Sequence, residues 1–151
     1  MKMEQAAVMT EEPTEAENRI AKAVLDAAYA VHNALGPGLL EAVYEVCLAH
    51  KLQKPGYRVR RQVALPVIDD GVRVDAGLRI DILVNDSVIV EVKAVEEIHP
   101  VHKSQVFTYL KLTGRRLGLL INFNVRLLRD GVRRIACGKT SPGAQSPLPN
   151  N

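Results

Sequence analysis

The stretch Arg79-Ile-Asp-Ile-Leu-Val-Asn-Asp-Ser-Val-Ile-Val-Glu-Val-Lys93 leaves the chain few ways to fold. Two β-branched runs surround Asn85-Asp86-Ser87, which predicts a β-hairpin. Both strands are fit for burial, yet they carry Asp81, Glu91 and Lys93. Buried charges are costly unless they are paired or bound to metal. With Val84 opposite Val88 across a three-residue loop, Asp81 falls opposite Glu91 on one face. Lys93, two residues further on, joins that face. Ile80, Ile82, Val84, Val88, Val90 and Val92 then make an unbroken apolar face on the other side. A two-residue loop would part the two acids, so the cluster depends on one register.

The flanking segments read as helices and further strands. Residues 1–12 form an expected flexible leader, followed by one domain over 13–137. Thr14 and Glu17 match a capping box. A helix follows to about Leu35, with Ile20, Val24, Ala27, Ala28, Val31 and Leu35 on one stripe. Gly36-Pro37-Gly38 stops it. A second helix is predicted from Leu39 to Gln53, burying Leu40, Val43, Tyr44, Cys47, Leu48 and Leu52. Tyr57 to Leu65 alternates as a strand, and Asp69-Asp70-Gly71 is a turn before a short strand or connector, Val72 to Asp75. After the hairpin, Pro100 suits the first turn of a helix ending at Thr113, with Gly114 beyond it. Arg116 to Phe123 reads as a buried strand. Val125–Leu128 and Val132–Ala136 read as a last hairpin about Asp130-Gly131. Gly, Ser, Pro, Gln and Asn dominate from 138 to 151, which predicts a disordered tail. The succession suggests an α/β sandwich on a mixed sheet, the third helix crossing between parallel strands.

Composition narrows the function classes. With 47% hydrophobic and 25% charged residues, the chain is an ordinary soluble globular protein, expected in the cytoplasm. Cys47 and Cys137 stand far apart and read as reduced thiols, with neither a zinc signature nor a disulfide framework. No apolar run is long enough for a membrane span, and no membrane partner is expected. A net charge of +3 permits an acidic partner without demanding one.

Two adjacent carboxylates make a hard, oxygen-rich site that suits Mg²⁺ or Mn²⁺. The plainer alternative is a salt bridge between Lys93 and either acid. The following helix carries Gln105 and Tyr109 four residues apart on one face, with His102 roughly in line. That helix must pack back over the sheet, which brings these groups toward the acids. In the plainer reading Val106, Phe107 and Leu110 pack while the polar side is merely wet. Arg58, Arg60, Arg61, Arg115, Arg116, Arg133 and Arg134 could contact phosphates.

Asp81…Glu91-Val-Lys93 followed by Gln105-x-x-x-Tyr109 resembles the PD-(D/E)xK nuclease superfamily, in its RecB-like form with a Q-x-x-x-Y helix. Gly38-Leu-Leu-Glu41-Ala-Val-Tyr44 resembles the motif that names the GxxExxY family within it. The resemblance runs from about Ile20 to Ala136. It implies a restriction-endonuclease-like α/β/α sandwich with a central mixed β-sheet. It also implies a divalent metal, Mg²⁺ or Mn²⁺, on Asp81, Glu91 and the Val92 carbonyl, with Lys93 as catalytic lysine. Gln105 and Tyr109 match the supporting helix, and Glu41 is the candidate helical acid that completes the site. Glu41 and Glu45 lie four apart, so a solvated pair stays open as the alternative. The strict motif has Pro where this chain has Ile80, a departure many members share. The implied activity is phosphodiester hydrolysis in nucleic acid, DNA before RNA. Two alternatives stay open: a non-catalytic nucleic-acid-binding or assembly module on the same fold, and a homo-oligomer in which the charges are structural.

Overall fold

A computed structural model describes residues 12–138 and 148–150. Thr14 caps α1 (Glu15–Leu35): its side chain accepts from Glu17 N at 3.1 Å, and Glu17 Oε1 accepts from Thr14 N at 2.7 Å. Next come α2 (Glu41–Gln53), β1 (Val59–Ala64), β2 (Val67–Asp69) and β3 (Val72–Val74). The hairpin is β4 (Arg79–Val84) and β5 (Val88–Lys93), followed by α3 (Pro100–Thr113), β6 (Leu117–Asn122) and β7 (Val132–Ala136).

The main sheet runs β1-β4-β5-β6-β7. Only β5 and β6 pair in parallel, with α3 as their connection; β1–β4, β4–β5 and β6–β7 are antiparallel. One core lies between the sheet and the pair α1 and α2, and a second between the sheet and α3. The result is the three-layer α/β/α sandwich around a mixed sheet that the sequence implied. β2 and β3 form a separate two-stranded ribbon about the Asp70-Gly71 turn. No helix among the described residues is long and apolar enough to cross a membrane.

The hairpin adopts the register the cluster requires, with Val84 opposite Val88 and Ile82 opposite Val90. Asn85 and Asp86 take left-handed φ values of 51° and 53°, which these residues tolerate better than most. The fully buried Arg115 clamps the loop, donating from Nε to Asp86 O (3.0 Å) and from a terminal nitrogen to Asp86 Oδ1 (2.8 Å). Arg115 is therefore an internal strut rather than the phosphate contact its charge suggested.

Several expectations need correction. Ile80 joins the α3 core with Leu83 and Ile89, not the face of Ile82 and Val84. The β4–β5 ladder ends at Ile82–Val90, and β4 turns away before Ile80. The buried side of α2 is Tyr44, Glu45, Leu48, Ala49 and Leu52. Leu40 (77% exposed) and Val43 face outward, because the helix is rotated to bury Glu45 beside β1. Phe107 is exposed on α3, with Lys111 Nζ 5.9 Å from its ring. Residues 125–128 form no strand; a 3₁₀ turn at Leu128–Gly131 leads into β7, which pairs back on β6. Of the expected leader and tail, residues 1–11, 139–147 and 151 lie outside the described residues. Leu148 rests half-buried against the α3 core.

Gly118 sets how closely α3 approaches the sheet. A Cβ at this position would sit 2.7 Å from Val106 Cγ1. Gly118→Ala is expected to push α3 outward and cost about 1–3 kcal/mol in urea unfolding, as overpacking does. Unchanged stability would show that α3 has slack against β6.

Candidate functional site

The site forms where β4 leaves β5. Asp81 Oδ2 accepts a hydrogen bond from Val92 N at 2.9 Å, and Glu91 Oε1 accepts one from Asp81 N at 3.3 Å. Each acid thus takes a backbone donor of the neighbouring strand, at the point where the ladder between those strands ends. The parting reaches β1 as well: Gln62, opposite this point, has φ +54°, and the β1–β4 ladder skips it. Gln62 Nε2 lies 3.4 Å from Asp81 Oδ1 and 2.9 Å from Glu45 Oε1.

Glu91 is only 2% exposed. Burial, then the Asp81 charge and a hydrogen bond shared with Asp81, push its carboxyl up to about 9. Without a cation, the pair therefore carries a proton at neutral pH. Among the described residues Lys93 makes no ion pair with either acid, so the salt-bridge alternative is not what the side chains do. Lys93 Nζ instead donates to Gln105 Oε1 at 3.4 Å, and Gln105 Nε2 donates to Tyr109 OH at 3.1 Å. Burial and the nearby Glu91 charge hold the Tyr109 phenol above its ordinary range, so it stays protonated. The sequence-predicted chain Lys93–Gln105–Tyr109 is thus assembled beside the acids.

Glu41 comes to the same place from the other layer. It opens α2 and feels the charges of Lys93 and Asp81; partial burial, the largest influence, raises its carboxyl above the usual range. Its delivery explains the Gly38…Glu41…Tyr44 spacing. Gly38 has φ +101°, a conformation that L side chains rarely adopt. Leu40 follows as the first cap of α2, and Tyr44 lies one turn into the helix. Tyr44 stacks on Phe123 with ring centres 4.6 Å apart. Its hydroxyl donates to Gly36 O (2.6 Å) and accepts from Leu39 N (3.1 Å). The tyrosine therefore ties the turn to the core and fixes where Glu41 begins the helix. Glu45, four residues on, is occupied by Arg61 (2.8 Å) and Gln62. Glu45 is buried and braces β1, whereas Glu41 stays exposed at the start of α2, within reach of the Lys93 and Asp81 charges.

Sequence reasoning missed two supporting residues. Gln62 links Glu45 to Asp81, but a single Gln in an alternating strand gives no signal of it. Asn122, buried beside Lys93 on the parallel strand, accepts from Val95 N (3.0 Å) and donates to Val95 O (2.9 Å). It holds the segment after Lys93 and so directs the entry of α3. A polar residue closing a buried apolar strand was the available clue. The predicted arginines form no single stripe: Arg61 is engaged by Glu45, Arg116 lies 3.4 Å from Glu17, and Arg134 bonds Asn18.

The donor set fits a hard divalent cation. Two adjacent carboxylates, one deeply buried with its carboxyl pushed up by burial and by the Asp81 charge, are a pair whose ionised form a cation would stabilise. Among the described residues no three His, Cys, Asp or Glu side chains form a ligand cluster, so such an ion would keep water in its shell. The raised Glu91 carboxyl also sets a pH dependence. The folded chain holds a proton that the unfolded chain releases near 4.5. Stability is thus favoured below about 4.5 and is lost as pH rises toward 9. In EDTA, Glu91→Gln is expected to melt higher than wild type at the alkaline end, by on the order of 2 kcal/mol, with the gap closing in acid. Parallel melting curves across pH would show that Glu91 is not under strain.

A profile of the PD-(D/E)XK nuclease superfamily matches residues 18–135. No curated protein and no solved structure matches the chain. The matched span runs from the first turn of α1 into the last residues of β7 and includes Glu41, Asp81, Glu91, Lys93, Gln105 and Tyr109. The chain, with its acids at the parting of two central strands, therefore belongs to the PD-(D/E)XK nuclease superfamily.

Proposed function

We propose that this protein is a divalent-metal-dependent nuclease of the GxxExxY kind, hydrolysing phosphodiester bonds in DNA before RNA, and that it acts in the cytoplasm. The observation that carries the reading is the Asp81–Glu91 pair, half-buried and buried respectively, beside a lysine held by Gln105. A structural ion pair would have brought Lys93 onto an acid. Here the ammonium is held to one side, which leaves the carboxylates for a cation.

In this reading Asp81 and Glu91 hold Mg²⁺ or Mn²⁺, with the Val92 carbonyl as a further oxygen donor and Glu41 reaching the ion through water in its shell. When bound, the ion would supply positive charge to a phosphoryl oxygen and acidify water. Lys93 is the catalytic lysine: its ammonium orients the attacking water or steadies the negative charge that builds on phosphorus. Gln105 positions that ammonium, and Tyr109 in turn orients the Gln105 amide. The protonated state of the metal-free pair means that loading releases a proton, so metal affinity rises with pH up to about 9.

Purified protein incubated with Mg²⁺ or Mn²⁺ and single-stranded or duplex DNA and RNA is expected to cleave at least one form. Lys93→Ala is expected to lower the rate about 100-fold or more, in the range for a group that stabilises transition-state charge. Gln105→Ala is expected to lower it less, since it acts through Lys93. Cleavage unaffected by Lys93→Ala removes the lysine from the mechanism. Nucleic-acid binding without cleavage by the metal-loaded wild type favours a non-catalytic binding module.

A further inference from the structure

Next to the carboxylates a groove of about 560 Å³ opens between α3 and the start of β4. That size falls in the roughly 300–1,000 Å³ range of small-ligand sites. Leu78 and Val101 give it apolar walls, and Lys93, His102, Ser104 and Thr108 give it polar groups. Gln105 and Tyr109 line it too, so it is continuous with the site above. No Asp or Glu among the described residues lines it. Its electrostatics therefore suit an anion at the Lys93 end.

His102 is poised as a donor. Its Nδ1 accepts from His99 N at 3.0 Å, which places the proton of the neutral ring on Nε2. Burial, with Lys93 and His99 nearby, lowers its proton affinity, so the ring is neutral with one donor. Val101 is 66% exposed although it sits directly on the groove. An open apolar wall beside a cation and hydroxyl donors is the composition that accepts a flat ring carrying a phosphate.

Resting on the nuclease reading, we infer that this groove seats one unpaired nucleotide of the substrate strand, its base against Leu78 and Val101 and its phosphate directed to Lys93. The faces of a base reach apolar walls only when the base is unstacked, whereas duplex presents base edges in its grooves. His102 Nε2, Ser104 and Thr108 supply hydrogen bonds to the sugar–phosphate of that nucleotide. The substrate class is thus single-stranded nucleic acid, or a duplex end that can splay one nucleotide.

The test is Val101→Asp, which places a carboxylate in the groove at an exposed position in the first turn of α3, where an acid complements the helix dipole. Fluorescence anisotropy with Ca²⁺ in place of Mg²⁺ compares a labelled oligothymidylate with the same strand annealed to oligoadenylate. Calorimetry with Mn²⁺ is run on the same samples. Wild type is expected to prefer the single strand, and Val101→Asp to lose about tenfold or more of that affinity, with Mn²⁺ binding retained. His102→Ala is expected to weaken single-strand binding less. If wild type binds and cuts duplex as well as single strand, and Val101→Asp leaves both unchanged, the groove is not the seat while the nuclease reading stands. If wild type neither binds nor cuts either form, the nuclease reading fails and this inference fails with it.

Discussion

The hydrogen bond from Val92 N to Asp81 Oδ2 is the contact on which the site depends. In an unbroken antiparallel ladder, backbone carbonyls would occupy the donors along β5. Here the ladder ends at Ile82–Val90, and a side-chain carboxylate takes the next donor. That substitution holds β4 apart from β5 and makes room for Glu91 to accept from Asp81 N. It also turns Ile80 into the opposite core and leaves Gln62 in a left-handed conformation on β1. One acid thus both satisfies the backbone and creates the gap in which the second acid is buried.

The rest of the fold holds that gap from three directions. Arg115 pins the hairpin loop from below, so the register cannot slip by one residue and part the acids. The Tyr44 hydroxyl fixes the turn that starts α2, and with it Glu41. Asn122 clips the segment after Lys93, and Gly118 admits α3 close enough for Gln105 to reach the ammonium. The site therefore draws on both helical layers, although its acids belong to a single hairpin.

What the sequence made legible follows from local rules. The hairpin register, the caps at Thr14 and Gly114, and the helix carrying Gln105 and Tyr109 all rest on periodicity and turn chemistry, and the structure has them. The layered fold followed from element order and from the family resemblance. What failed was tertiary. Periodicity could not show that α2 is rotated to bury Glu45 and expose Leu40, because a paired glutamate scores as polar whether or not Arg61 meets it. Nor could strand parity place Ile80, since parity assumes an unbroken ladder. The charge of Arg115 suggested phosphate, but its burial against Asp86 is a long-range contact with no local mark. Gln62 and Asn122 escaped notice for the same reason: their roles depend on distant backbone.

A cation on the Asp81–Glu91 pair is the central claim, and anomalous diffraction from crystals soaked in Mn²⁺ tests it most directly. The expected result is one Mn²⁺ peak with oxygens of both Asp81 and Glu91 within about 2–2.5 Å, a hard-cation distance, and no peak in Asp81→Ala crystals. A folded wild-type protein with no peak at the pair, the Asp81–Val92 hydrogen bond intact and Glu91 still bonded to Asp81, would contradict it.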